Sequence, residues 1–191
     1  MLQHITSAQF IKGSVGTDNI LQNSILQVAF IGRSNAGKSS LINALTNQKG
    51  LAVTSSFPGR TQQMNIFLIN KVLYFVDLPG YGFVRISPAV REKLQKMIDW
   101  YLFRSDYNQK YVVLIIDASL GPTDLDMDML YKLEAAEKNI IVVANKIDKI
   151  KKPNLEKQIS DIQSRIGSHT LLPISAEKKI GIADLVALLL K

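Results

Sequence analysis

Between residues 27 and 40 the chain reads QVAFIGRSNAGKSS: an apolar run passes into Gly32, and Gly37-Lys38-Ser39 follow after four intervening residues. Glycines at such a bend let backbone N–H groups curl around phosphate oxygens. A lysine adds positive charge at the outer phosphates, and a serine hydroxyl can ligate Mg2+. The phosphate-binding set read from this stretch is Gly32, Arg33, Ser34, Asn35, Ala36, Gly37, Lys38, Ser39 and Ser40, with Lys38 also the candidate catalytic cation and Ser39 a metal ligand.

A second stretch, DLPGYGFV at 77–84, directly follows the apolar run VLYFV. Alone it reads as a surface turn after a buried strand. With a phosphate loop upstream it gains a function, because strands of a parallel sheet share one ligand-binding edge. Asp77 is then placed to face the metal through water, and Gly80 to bring a backbone N–H to the γ-phosphate, with Leu78 and Pro79 completing the turn. The base is indicated by NKID at 145–148. A carboxylate at Asp148 accepts from N1–H and the N2 amino group of guanine, donors that adenine lacks, while Asn145 braces the pocket and Lys146 lays its stem over the ring. In ISAEKKIG, Ser175 and Ala176 follow the final strand, where a backbone N–H can meet guanine O6; Ser-Ala is also an ordinary helix start. These motifs predict GTP and GDP as ligands and Mg2+ as cofactor.

Positioning these groups requires alternating strands and helices. Strands are predicted at 27–32, 64–70, 71–77, 111–117, 140–145 and 170–174, several of them nearly all apolar, as strands covered on both faces should be. Helices are predicted at 37–47, 88–104, 124–138, 153–166 and 179–190, the second with Ser87 as cap and Pro88 in its first turn. Only the second and third strands are too close for a crossover helix. The expected fold class is therefore α/β: a three-layer P-loop GTPase domain with a six-stranded, mostly parallel sheet, one antiparallel edge strand and helices on both faces. Residues 48–62, QKGLAVTSSFPGRTQ, form a long polar connection of the kind that is usually functional. One of its hydroxyls should reach Mg2+ in the GTP state: Thr61 is preferred over Thr54, Ser55 and Ser56 because it lies just before the next strand. Gly59, Arg60 and Thr61 complete the nucleotide set, with Thr61 as a metal ligand and catalytic candidate.

The 191 residues, 47% of them hydrophobic, suit one domain with a real core, which excludes fibrous and mainly disordered classes. With no cysteine, neither disulfides nor thiolate chemistry can contribute. The longest apolar stretches, YVVLII and LVALLL, are too short to cross a bilayer, and the start lacks a basic segment followed by an apolar one, so a cytoplasmic protein without membrane insertion is expected. A formal charge of +7 favours a polyanionic partner.

Taken together, GRSNAGKSSLINAL, PGRTQ and DLPGYGF resemble the EngB (YihA/YsxC) family of ribosome-biogenesis GTPases, within the Era/TrmE/septin-like branch. The resemblance runs from about residue 24 to the C-terminus. It implies an EngB-type G domain at 24–191 behind an N-terminal extension at 1–23. It also implies a monomeric GTP/GDP switch that hydrolyses GTP and binds the large ribosomal subunit, not DNA, with a role in cell division and septation. Two positions depart from the family pattern: Ser119 stands where an arginine is common after IIDA, and Asn145 stands where threonine is frequent. In related GTPases an asparagine placed like Asn35 helps hold a K+ ion, which implies K+ as a further cofactor and Asn35 as a catalytic contributor. Tyr81 occupies the place of the water-orienting glutamine of Ras-type GTPases and has no amide, so unassisted turnover should be slow; alternatively, Tyr81 packs the loop against the domain. Arg33, Arg60, Arg85, Lys146, Lys149, Lys151 and Lys152 surround the nucleotide edge and, given the resemblance, are expected to meet ribosomal RNA phosphates. The rival is a septin-like structural GTP-binding protein at the division site, disfavoured by the lack of long flanking or coiled-coil segments.

Overall fold

The computed structural model describes residues 4–53, 63–82 and 86–191. Its centre is a seven-stranded sheet. In chain order the strands are β1 (Ala8–Ser14), β2 (Leu26–Gly32), β3 (Met64–Ile69), β4 (Leu73–Asp77), β5 (Gln109–Asp117), β6 (Ile140–Asn145) and β7 (Thr170–Pro173). They lie in the order β1-β3-β4-β2-β5-β6-β7. From β4 to β7 every neighbouring pair is parallel, whereas β3 is antiparallel to both β4 and β1, so β3 alone runs against the rest.

The sequence expectation of six strands is corrected here. Residues 8–14, placed in the N-terminal extension, form β1, which covers β3 and takes over the edge. Its residues escaped the pattern for a physical reason: most are exposed or half-buried, and a register shift between Phe10 and Lys12 breaks the two-residue period. Bulge and lysine together blunt the outer edge against further pairing.

Side-chain alternation divides the core into two layers. Val28, Phe30, Phe75, Val113, Ile115 and Val143 face α1 (Lys38–Thr46) and α5 (Ile182–Leu189). Ala29, Ile31, Val76, Leu114, Ile116 and Val142 face α2 (Pro88–Asp99), α3 (Asp124–Ala135) and α4 (Lys152–Ile166). Helix α2 begins as expected, with the Ser87 side chain accepting from Val90 N–H and Pro88 in the first turn. It runs on into a π-helical turn at Trp100–Arg104, from which Tyr101 donates its hydroxyl to the buried Gln27 Oε1 at 2.9 Å.

The register brings the functional loops to one edge. Phe30 of β2 pairs with Asp77 of β4, Gly32 with Ile115 of β5, and Asp117 of β5 with Asn145 of β6. The phosphate loop, the D-x-x-G turn and the N-K-x-D turn therefore leave the sheet side by side at its C-terminal end, where open α/β sheets bind ligands. Among the described residues no helix is long and apolar enough to cross a membrane.

Candidate nucleotide site

The phosphate loop is shaped by close packing under two of its glycines. A Cβ on Gly32 would lie 2.5 Å from the Ile115 carbonyl oxygen, and one on Gly37 would lie 2.3 Å from Asn145 Nδ2. Gly37 also has φ of +95°, and Asn35 joins it in the left-handed region with φ of 67°, where asparagine is among the better-tolerated side chains. The Ala36 N–H donates to the Arg33 carbonyl at 3.0 Å, closing the bend. Helix α1 then starts at Lys38 with no side-chain cap, so Lys38, Ser39 and Ser40 present their unshared N–H groups at its positive end.

Inside this bend Lys38 Nζ forms an ion pair with Asp77 Oδ1; the two side chains are 11% and 2% exposed. The turn that Asp77 begins is stitched to the phosphate loop. Leu78 N–H donates to Phe30 O at 3.1 Å, Tyr81 N–H to Gly32 O at 3.3 Å, and Ser34 N–H to Tyr81 O at 2.9 Å. Gly80 fits because a Cβ there would come within 3.2 Å of Ser34 N. Leu78 is fully buried and serves the core instead of lining the site.

The guanine-side residues converge as their spacing predicted. Asn145 Nδ2 donates to Ala36 O at 2.9 Å, and Asn145 Oδ1 accepts from Ala176 N–H at 3.1 Å, so one buried amide ties the phosphate loop to the loop after β7. The Ala176 N–H expected to meet guanine O6 is thus engaged with Asn145. Asp148, exposed at the rim, accepts from the Ser175 hydroxyl, which in turn accepts from Lys178 N–H at 2.9 Å. Lys146 Nζ donates to Asn35 O at 2.6 Å and to Asp117 Oδ2 at 2.7 Å. Gly59, Arg60 and Thr61, with Thr54, Ser55, Ser56 and Arg85, lie outside the described residues.

Asp117 is the residue that motif reading missed. It ends β5 as Asp77 ends β4, and a carboxylate closing a buried apolar strand was the available signal. Burial raises its pKa, but hydrogen bonds from Lys146 and from the Ser119 hydroxyl and N–H outweigh this and hold the carboxyl below its ordinary value. Ser119, noted for departing from the family pattern, therefore braces the partner of Lys146. A carboxyl depressed in the folded state stabilises fully above its unfolded pKa, and the contribution is lost as pH falls through the lower folded value. Asp117→Asn should accordingly weaken GTP and GDP binding about equally, by about tenfold, while flattening the acid limb of the stability curve; titration of both nucleotides and urea unfolding at pH 3–7 would check this.

Tyr81 does not face the phosphates. Its ring is buried among core residues beneath α2 and α3, and its hydroxyl donates to Asp126 Oδ1 at 2.7 Å. Burial first, and then the Asp126 charge, raise its pKa above that of an ordinary phenol, so it stays a neutral donor. The packing alternative considered for Tyr81 is the arrangement observed.

Residues 27–146 match the profile of a family described as 50S ribosome-binding GTPase, and residues 104–191 match that of the elongation factor Tu GTP binding domain. Among curated relatives, "Probable GTP-binding protein EngB" of Pelobacter propionicus is 45% identical over 179 residues, 93% of this chain and 89% of the relative. Its counterpart in Natranaerobius thermophilus is 41% identical over 162 residues, 85% and 83% of the two chains. Of solved structures, a probable GTP-binding protein engB superposes with a TM-score of 0.70 at 25% identity, covering 83% of this chain and 93% of the other. Era, in complex with MgGDPNP and nucleotides 1506–1542 of 16S ribosomal RNA, superposes with a TM-score of 0.71 at 26% identity, covering 88% of this chain and 57% of the other.

Proposed function

The chain belongs to the EngB family of GTP-binding proteins and is a P-loop GTPase, and on that premise we propose that it is a GTP/GDP switch assisting assembly of the large ribosomal subunit in the cytoplasm, with a consequent role in cell division and septation. The observation that carries the switch reading is the convergence of Lys38, Asp77, Gly80, Asn145 and Asp148 on one sheet edge, tied together by direct bonds. In this reading the phosphate-loop N–H groups and Lys38 hold the phosphates, Asp148 reads N1–H and N2 of guanine, Lys146 covers the ring, and Ser175 and Ala176 form the O6 edge. Gly59, Arg60 and Thr61 join from the loop before β3.

The donor set suits Mg2+. Ser39 and the carboxylate of Asp77 are hard oxygen donors, and no cluster of three or more His, Cys, Asp or Glu able to hold a metal occurs among the described residues. A cation bound here must complete its shell with phosphate and water, as Mg2+ readily does. Ser39 would hold it directly, Asp77 through water, and Thr61 in the GTP state; when bound, the ion neutralises charge developing on the phosphates. Because Lys38 pairs with Asp77 here, phosphate and cation together exchange one buried ion pair for two.

With the Tyr81 hydroxyl held by Asp126, no side chain at that position orients a water, so intrinsic hydrolysis is slow. Asn35 supplies a compensation: Lys146 anchors its carbonyl while its side chain stands exposed at the loop rim, positioned to help hold K+ where an arginine finger would act.

Three features support a ribosomal partner: the family description, the RNA bound by the structural relative Era, and the lysines at 146, 149, 151 and 152 beside the guanine pocket. The expected result is co-sedimentation with isolated large subunits in a non-hydrolysable GTP analogue but not in GDP, weakening steeply with salt. GTP turnover should rise when KCl replaces NaCl, and further with large subunits. Co-sedimentation in neither nucleotide would sink the ribosomal reading, and equal rates in both salts would remove K+.

A further inference from the structure

Tyr81 joins two parts of the molecule that nothing else among the described residues joins so directly. Its backbone bonds to the phosphate loop at Gly32 and Ser34, while its side chain reaches the first turn of α3. There the 2% exposed Asp126 accepts the Tyr81 hydroxyl on Oδ1 at 2.7 Å and, on Oδ2, the Thr123 N–H at 2.9 Å and hydroxyl at 2.7 Å. The capping box of α3 therefore uses one carboxylate oxygen for its own helix and gives the other to the D-x-x-G turn.

We propose that Asp126 is a positioning residue for γ-phosphate recognition, acting through Tyr81 to keep the D-x-x-G turn docked on the phosphate loop. A hydroxyl given to a buried carboxylate is a charge-assisted bond, costly to lose because the carboxylate oxygen then stays buried without its donor. The turn has somewhere to go if the bond is lost. A cavity of about 400 Å3 lies beside it, lined by Gly80, Tyr81, Gly82, Leu94, Ile98 and Leu125. Gly82, in the left-handed region at φ of +71°, packs between Arg33 and Leu125 and marks the far end of the docked segment. Since Gly80 is the group assigned to the γ-phosphate, undocking costs GTP affinity, whereas GDP, which has no γ-phosphate, is indifferent to it. The inference rests on the GTP/GDP switch proposed above.

The test compares Tyr81→Phe and Asp126→Asn with Thr123→Ala, which removes a donor to the same carboxylate without touching the turn. Affinities for GDP and a non-hydrolysable GTP analogue are measured by fluorescence titration, and stability by urea unfolding. The affinity for the analogue relative to GDP should fall about tenfold in the first two variants and remain at the wild-type ratio in Thr123→Ala, although all three lose stability. An unchanged ratio in Tyr81→Phe, or an equal fall in Thr123→Ala, would overturn the positioning role. Wild-type protein that fails to bind the analogue would instead overturn the switch itself, and this inference with it.

Discussion

Asp148→Asn should lower GTP affinity about a hundredfold and raise affinity for xanthosine triphosphate. A carboxylate accepts from both N1–H and the N2 amino group, each bond charge-assisted. A carboxamide offers one acceptor and one donor, so the N2 edge of guanine meets a donor where it needs an acceptor. Loss of one such bond and desolvation of the facing groups amount to about 3 kcal/mol, or about a hundredfold. Xanthine keeps N1–H and carries a carbonyl in place of the amino group, which the carboxamide complements. The fold should be unaffected: Asp148 is exposed, the neighbouring Ile147 anchors the turn through its N–H to Ile174 O at 3.1 Å, and a carboxamide oxygen can still accept from Ser175. Displacement of labelled GDP by each triphosphate is the measurement. Undiminished GTP affinity would remove Asp148 from the base pocket.

Lys38→Ala should damage both binding and the fold, and the two effects are separable. Removing the ammonium leaves Asp77, 2% exposed, as a buried carboxylate without its cation. Breaking such a pair costs about 3 kcal/mol at the lower end of the usual range, the appropriate end here because Lys38 is 11% exposed and water can follow. For a chain of this size that is a fall in Tm of roughly 6–12 °C in nucleotide-free protein. The double change Lys38→Ala with Asp77→Asn removes the stranded charge, so it should regain much of the thermal stability while still binding GTP poorly. If the double variant is no more stable than Lys38→Ala, the pair is not what holds this end of the sheet. Calorimetry and nucleotide titration on the three proteins complete the cycle.

The features legible in the sequence were those whose chemistry is local. Gly32, Gly37, Lys38 and Ser39 sit within eight residues of one another, and the strands carrying Asp77 and Asn145 are apolar on both faces, so motif and element could be read together. What escaped depends on partners distant in the chain. Asp117 acquires its role from Lys146, which reaches it only because β5 and β6 pair in parallel with Asp117 opposite Asn145. The direction of the Tyr81 ring is set by Asp126, 45 positions away. Strand β1 shows little periodicity because one face meets solvent and a bulge interrupts it. Ser119 was visible as a departure, yet its bond to Asp117 belongs to the geometry of the loop after β5.

Strand β1 also limits which motions remain open to this protein. The β3–β4 hairpin follows the loop expected to sense GTP, and a hairpin so placed could in principle ratchet along its neighbour as that loop rearranges. Here β1 flanks β3 with a register offset by the bulge at Phe10 and Lys12. At the hairpin tip, the Asn70 side chain accepts from Thr6 N–H at 2.7 Å and Ser7 N–H at 3.0 Å and donates to His4 O at 2.8 Å. Sliding by one residue would turn Phe67 out of its core layer, and sliding by any amount would tear Asn70 from all three partners. The hairpin behaves as a fixed rail, and nucleotide-dependent movement is confined to the connections at its ends.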